Sequence, residues 1–439
     1  MTELNRRHLI MGTLATAAVS SAGIARPRSS SFPKGFLWGA ATAAHQVEGN
    51  NVNSDSWALE HVKPTMFAEP SADAANSFEL WPTDLDLVRN MGLNTYRFSL
   101  EWARIEPEPG QFSVAMLDHY KAMIEGCRAR GLTPVVTFNH FTTPRWFAAM
   151  NGWADPQAPS RFARFCERAA RHLSADIGYA ITLNEPNLTG LISVIIPSAA
   201  EVITTMDRAM SQAAARAYGV PHFLAGNALT TDNLPLVAGN MLAGHRAGRE
   251  AIKSVRPDLP VGVSLAIVDD QEAGPGSIRD SIRVKLYQAW LEAARGNDFV
   301  GVQNYERALW DAKGRLPTPK GVEVNGGGGE VYPASLAGAV RYAHSVSNVP
   351  VIVTEHGVNA TDDSIRARLI PAALKELKQV MDDGVPVKGY IHWSLIDNFE
   401  WMLGYGPKFG LHSFDKTTFV RTPKPSAAVL GAIARRNAI

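Results

Sequence analysis

The sequence predicts an α/β fold, a single (β/α)8 barrel, and three observations point to it. Short apolar runs rich in β-branched or aromatic residues recur eight times, amphipathic stretches of helical period lie between them, and no change of composition divides the chain. Strands that alternate with helices pair in parallel, and near-continuous apolar strands are buried on both faces.

In order, the runs are FLWGAATAA (36–44), TYRFSLEW (95–102), TPVVTFNHF (133–141), YAITLNE (179–185), PVGVSLAIV (260–268), DFVGVQNY (298–305), PVIVTEHG (350–357) and VKGYIHWSL (387–395). Between them, AMLDHYKAMIEGCRARG, PSRFARFCERAARHLSADIG and SIRARLIPAALKELKQVMDDG keep their apolar residues on one helical face. The last two also carry a helix-start residue and a closing glycine. The longest stretch without an assignment runs from Asn187 to Gly239, between the fourth and fifth strands. Its apolar piece, LISVIIPSAA, is ten residues long, too short to span a bilayer, and reads as a packed loop or helix. Asn325 to Gly329 (NGGGG) reads as a flexible loop after the sixth strand.

Composition narrows the function. The chain has 439 residues, 46% of them hydrophobic and 19% charged, which suits a large buried core and argues against disorder. A net charge of +1 gives no global field that would favour nucleic acid or an anionic membrane. A small uncharged ligand is the better-matched partner. Cys127 and Cys166 are too few for a disulfide framework and read as small buried groups, with a single bridge between them left open.

The first 25 residues read as an address. Arg6 and Arg7 precede a stretch from His8 to Ala25 without Lys, Arg, Asp or Glu, which ends in small residues suited to a signal peptidase. The pattern is similar to a twin-arginine export signal on residues 1–25, leaving residues 26–439 as the mature domain in the bacterial periplasm or beyond. The stretch is too rich in Ala, Ser, Thr and Gly for a stable membrane anchor, so no lasting insertion is expected once the signal is removed.

In barrels of this kind, catalytic residues come from the carboxyl ends of the strands and the loops that follow. Polar residues gather there: Gln46 and Glu48 after the first strand, Arg97 and Glu101 on the second, Asn139 and His140 on the third, Asn184 and Glu185 on the fourth. Gln303, Asn304 and Tyr305 end the sixth, Glu355 and His356 the seventh, and Trp393 the eighth. Glu185 and Glu355 could therefore face each other across the mouth. Paired carboxylates suit acetal cleavage, which needs one acid to protonate the leaving oxygen and one carboxylate to trap the oxocarbenium-like centre.

These residues also carry a resemblance. FPKGFLWGAATAAHQVEG, YRFSLEWARIEP, TLNEP, VTEHG and WSLIDNFEWMLGYGPKFGL occur in the order found in glycoside hydrolase family 1, the β-glucosidase family, and the likeness runs from Phe32 to about Pro425. It implies a retaining β-glycosidase with no cofactor and no metal. Glu185 matches the acid/base, Glu355 the nucleophile and Asn184 the contact to the sugar 2-hydroxyl. Arg97 matches the cation beside the nucleophile, and Tyr305 the phenol that hydrogen-bonds it. Gln46, His140, Glu400 and Trp401 match the residues that hold the other sugar hydroxyls, and Trp393 matches the aromatic floor under the ring. Because the chain keeps Glu400 and Trp401, a pair absent from members that take 6-phosphosugars and use a nearby Ser and Lys, a neutral β-glycoside or oligosaccharide is the implied substrate. A transglycosylase of the same fold, passing the sugar to a non-water acceptor, is the alternative.

The chain departs from the family pattern in three places. Gln303 stands for an Asn, and His356 stands for the Asn after the nucleophile. His356 either reaches Glu355 electrostatically or packs into the barrel wall, and strand alternation points to the wall. The loop after TLNEP lacks the family's Trp and its Gly/Tyr-rich continuation, with NLTGLISVIIPSAA in their place.

Overall fold

The apolar runs form eight parallel strands: β1 (Leu37–Ala41), β2 (Thr95–Ser99), β3 (Thr133–Asn139), β4 (Tyr179–Asn184), β5 (Val261–Ala266), β6 (Phe299–Asn304), β7 (Val351–His356) and β8 (Val387–Trp393). Each pairs with its sequence neighbour, and β8 returns to β1 to close the barrel. The computed structural model describes residues 30–439, so the segment read as an export signal lies outside the described residues. Among those described, no helix is long and apolar enough to cross a membrane.

Alternation divides the core in two. Leu37, Val135, Ile181, Phe299, Ile352 and Ile391 meet inside the barrel. Trp38, Tyr96, Val136, Val300, Val353 and Tyr390 belong to the larger cluster between barrel and helices. Glycines make room for the bulkier interior groups. A Cβ on Gly262 would lie 2.8 Å from the Phe299 ring, and one on Gly389 would lie 2.5 Å from Leu37 Cβ.

Strict alternation fails on the two strands that end in the candidate carboxylates. On β4 the pairing with β5 shifts between Ile181 and Asn184. Thr182, which bonds His245 at 2.7 Å, and Leu183 therefore both face the helices before Asn184 turns inward. On β7 the pairing with β6 shifts between Val302–Val353 and Gln303–Glu355. Val351 and Val353 face outward, so an unbroken strand would put Glu355 outward too, and the extra residue turns it into the barrel.

The main helices are α1 (Ser77–Asn90), α2 (Val114–Ala129), α3 (Ala158–Leu173), α4 (Leu188–Ile195), α5 (Pro197–Tyr218), α6 (Leu234–Val255), α7 (Ser335–Ser347), α8 (Asp363–Asp382) and α9 (Pro425–Arg436). The unassigned stretch after β4 is thus helical, and LISVIIPSAA divides between α4 and α5 at Pro197. Cys127 on α2 and Cys166 on α3 are buried free thiols, which closes the question of a bridge. The run read as a flexible loop is instead tied down. Asn325 Oδ1 accepts from the amides of Gly327 at 2.8 Å and Gly329 at 3.1 Å, and Gly326 N donates to Asn359 O at 2.7 Å.

Close packing of α6 on α3 fixes the wall behind β4. A Cβ on Gly248 would meet Phe162 at 2.8 Å and Cys166 Sγ at 3.1 Å, whereas one on Gly239 of the same helix would meet nothing within 4 Å. The two positions should therefore respond with opposite sign. Gly239→Ala is expected to stabilise by about 0.5–1 kcal/mol through helix propensity. Gly248→Val is expected to cost about 1–3 kcal/mol through overpacking. Urea unfolding of both variants checks the pair; stabilisation by Gly248→Val would contradict the packing account.

Candidate active site

Arg97 organises the mouth of the barrel. Its guanidinium is fully buried, and it donates to Glu355 Oε1 at 2.5 Å, to Asn184 Oδ1 at 2.5 Å, to Thr137 Oγ1 at 3.2 Å and to the Thr354 carbonyl at 3.2 Å. Tyr305 donates its phenolic proton to the other oxygen of Glu355 at 2.6 Å. Both oxygens of that carboxyl are thus held by donors that favour its charged form.

Asn184 links this pair to the opposite wall. Its Oδ1 accepts from Arg97 and from Gln303 Nε2 at 2.8 Å, which fixes the amide so that Nδ2 donates to His140 Nε2 at 3.2 Å. The proton of His140 then sits on Nδ1. Burial, followed by the positive field of Arg97, pushes the His140 pKa well below its ordinary value, so the ring is neutral. His140 also stacks with Trp393 and Trp401, at ring separations of 5.7 and 6.4 Å. Trp393 Nε1 in turn approaches Glu400 Oε1 at 3.4 Å. Gln46 donates to Asn398 Oδ1 and to the Phe399 carbonyl, both at 2.9 Å, so the first-strand residue is fastened to the segment that carries Glu400. Gln46 Oε1, His140 Nδ1 and Gln303 Oε1 are buried without a protein partner, the arrangement expected where hydroxyl groups of a ligand complete the bonding.

Glu185 is placed differently. Its backbone adopts φ 43°, a left-handed conformation rare outside glycine, held by its own N–H on the Ser264 carbonyl at 2.8 Å and by the Leu188 N–H on its carbonyl at 2.9 Å. Burial first, then the negative charge of Glu355, raises its pKa well above the usual carboxylate range, with Glu400 adding to the rise and Arg97 opposing it. Glu355 is also raised by burial, but Arg97 and the Tyr305 hydroxyl oppose that rise directly. Glu400 is pushed up to about 8, again by burial first, with Glu355 and Asp397 adding to it against the Trp393 and Gln46 bonds. Three carboxyls therefore act on one another, and the one bonded to Arg97 and Tyr305 is the one best held ionised.

All ten residues singled out in the sequence meet here: Gln46, Arg97, His140, Asn184, Glu185, Tyr305, Glu355, Trp393, Glu400 and Trp401. Other strand-end residues do not join them. Glu48 binds Arg104 and Tyr120, Glu101 caps the turn at Ala103 and accepts from Thr142, and Asn139 and Asn304 hold rim carbonyls. His356 turns to the outer face, where its Nδ1 lies 2.8 Å from the Tyr390 hydroxyl, and burial pushes its pKa down to about 3. It packs in the wall, as alternation indicates. Asn398 and the bonding role of Gln303 escape a sequence reading, because their partners come from distant strands. The WSLIDNFEW block does contain Asn398, but nothing in it marks the amide that fastens Gln46.

The comparisons with known proteins give the family and the fold. The model for "Glycosyl hydrolase family 1" matches residues 28–225 and 323–439. A thermostable β-glucosidase B of Thermobispora bispora is 28% identical over 93% of this chain and 92% of its own length. A β-galactosidase of Pyrococcus woesei is 26% identical over 93% and 98%. Among solved structures, the apo form of a β-glucosidase, 1317, superposes with a TM-score of 0.88 at 41% identity, covering 92% of this chain and 99% of its own. The β-glycosidase BGL167 superposes at 0.86 with 46% identity, covering 93% and 98%.

The electrostatics of the pair can be checked without turnover. Glu355→Gln removes the negative charge that raises Glu185 and frees Arg97, and both changes favour ionised Glu185. The Glu185 carboxyl should then titrate lower than in the parent, while staying above an ordinary Glu because burial persists. A carbon-13 NMR titration reads this directly; an unmoved Glu185 would show that the two carboxyls do not interact.

Proposed function

This chain belongs to glycosyl hydrolase family 1, and from that premise we propose that Glu355 is the nucleophile and Glu185 the acid/base of its retaining β-glycosidase reaction on neutral sugars. One observation carries the assignment: Glu355 takes the bonds of Arg97 and Tyr305, whereas Glu185 takes like charge from two sides. Glu185 therefore starts protonated and Glu355 starts ionised.

The reaction follows from those states. Glu185 gives its proton to the glycosidic oxygen as the bond to the anomeric carbon breaks. Glu355 attacks that carbon from the opposite face and forms a glycosyl ester, so the Glu355 charge that raised the pKa of Glu185 is lost. Glu185, now ionised and no longer opposed by it, takes a proton from water as the water attacks the anomeric carbon. The ester breaks, Glu355 regains its charge, and the product keeps the β configuration. Asn184, pinned by Arg97 and Gln303, offers its amide to the 2-hydroxyl, a contact that tightens as the ring flattens. Hydrolysis, rather than transfer to another acceptor, is the outcome that family membership favours.

Neutral sugars fit the site's charge. The groups that act on Glu400 are Trp393, Glu355, Asp397 and Gln46, so no cation stands there to pair with a phosphate dianion. The arginine pair and uncharged stretch of residues 1–25 support export to the periplasm, and absence of the activity from a periplasmic fraction would refute that.

The role assignment predicts how Glu185→Ala behaves. Loss of the proton donor should cost about 10²–10⁴-fold in kcat/KM on alkyl glycosides and far less on dinitrophenyl glycosides, whose leaving group needs no proton. Steady-state kinetics on the two classes decides it. Equal losses would remove Glu185 from the acid role, and an α-configured first product in the proton NMR of the parent reaction would remove the mechanism.

A further inference from the structure

A second cavity adjoins the site, and its lining says which leaving group the enzyme accepts. It measures about 300 Å³ and is bounded by Glu185, Gln303, Tyr305 and Glu306 on one side and by aliphatic side chains on the others. Leu188, Leu191, Ile192 and Ile195 come from a single face of α4, at spacings of three and four residues. Ile267 and Val268, just beyond β5, supply the facing wall. Of the two central carboxyls only Glu185 borders this space, and Gln46, His140, Trp393, Glu400 and Trp401 do not. On the reading of Glu185 as the acid, the occupant is the group attached to the oxygen that Glu185 protonates.

We propose that this slot takes an aliphatic or aromatic aglycone, so that the enzyme is built for β-glycosides of apolar alcohols rather than for β-linked oligosaccharides. A sugar placed there would bring several hydroxyls to a wall whose polar groups are already engaged. The Tyr305 hydroxyl is committed to Glu355, Gln303 Nε2 to Asn184, and Glu306 faces Arg315 at 3.4 Å. Gln303 Oε1 and Glu306 Oε2 remain as acceptors with no free side-chain donor beside them, too little for a pyranose, whose other hydroxyls would lose water without replacement. An alkyl or aryl group loses nothing there and gains burial.

Two further observations agree. Ala266–Val268 and Gln303–Glu306 lie in residues 226–322, which the family model does not match, so the family pattern itself does not prescribe the apolar side of this wall. The slot also shares Leu188, Ile192, Tyr305 and Glu306 with a wider cavity of about 430 Å³ that is bounded by Glu400 and Trp401 and reaches the exposed Leu403, so the slot and the sugar-binding residues open on one common space.

The test is a series of n-alkyl β-glycosides, from methyl to octyl, of whichever sugar an aryl-glycoside panel ranks first, with the corresponding β-linked disaccharide alongside. Because alkanol leaving groups differ little in acidity, a rise in kcat/KM along the series reads burial. The expected rise is about fourfold per methylene until the slot is filled, which is the conversion of about 0.8 kcal/mol per buried CH₂. The disaccharide should fall below the butyl glycoside. Ile192→Asn should lower the octyl-to-methyl ratio about tenfold or more, and Ile192→Val, which keeps the wall apolar, should preserve most of it. Thermal melts confirm that both variants are folded. A flat series in an enzyme active on aryl glycosides, or a preference for the disaccharide, overturns the slot while leaving the catalytic assignment intact. Absence of turnover on every glycoside overturns both.

Discussion

The active site depends on the burial of one guanidinium among carboxyls. Arg97 reaches β3 through Thr137, β4 through Asn184 and β7 through Glu355 and the Thr354 carbonyl, so a single side chain on β2 sets the relative positions of groups from three other strands. Taking such a charge out of water is costly, and it is tolerated because each face of the fork finds an acceptor. One cation cannot neutralise Glu185, Glu355 and Glu400 together. The carboxyl nearest Arg97 keeps its charge, and the others hold protons more tightly than they would in water. The field that keeps Glu355 ionised is thus the one that keeps a proton on Glu185, as the proposed roles require.

How that arrangement arises was partly legible in the chain. Apolar runs at regular intervals gave all eight strands to within a few residues, because burial on both faces leaves little choice of residue type. Local sequence motifs picked out the residues that meet at the barrel mouth, because strand ends and the turns after them carry short-range constraints that survive in a linear reading. Alternation, however, taken along β7 from Val351 and Val353, puts Glu355 on the wrong face. Its inward turn depends on an irregularity in pairing with β6, and a bulge is a property of two strands in register, not of one. The same holds on β4, where Thr182 and Leu183 both face the helices before Asn184 turns in.

The rim was less legible for a related reason. Glycine-rich sequence at Asn325–Gly329 reads as flexible because composition reports backbone freedom, yet Asn325 and Asn359 bind that backbone and spend the freedom on a fixed turn. The apolar stretch after Pro186 carried no recognisable motif, and its meaning emerges only when α4 lies over the end of β5. There it turns a run that could be mistaken for membrane-seeking sequence into one wall of a slot beside Glu185.

The central claim is that Glu355 forms a covalent glycosyl ester while Glu185 only moves protons. A 2-deoxy-2-fluoro β-glycoside with a dinitrophenolate leaving group slows the breakdown of such an ester, since fluorine destabilises the oxocarbenium-like transition state while the good leaving group still permits its formation. Intact-protein mass spectrometry followed by peptide mapping should find one fluoroglycosyl group per chain, on the peptide containing VTEHG and at Glu355. An adduct on Glu185, or dinitrophenolate release with no adduct on any residue, would contradict the account.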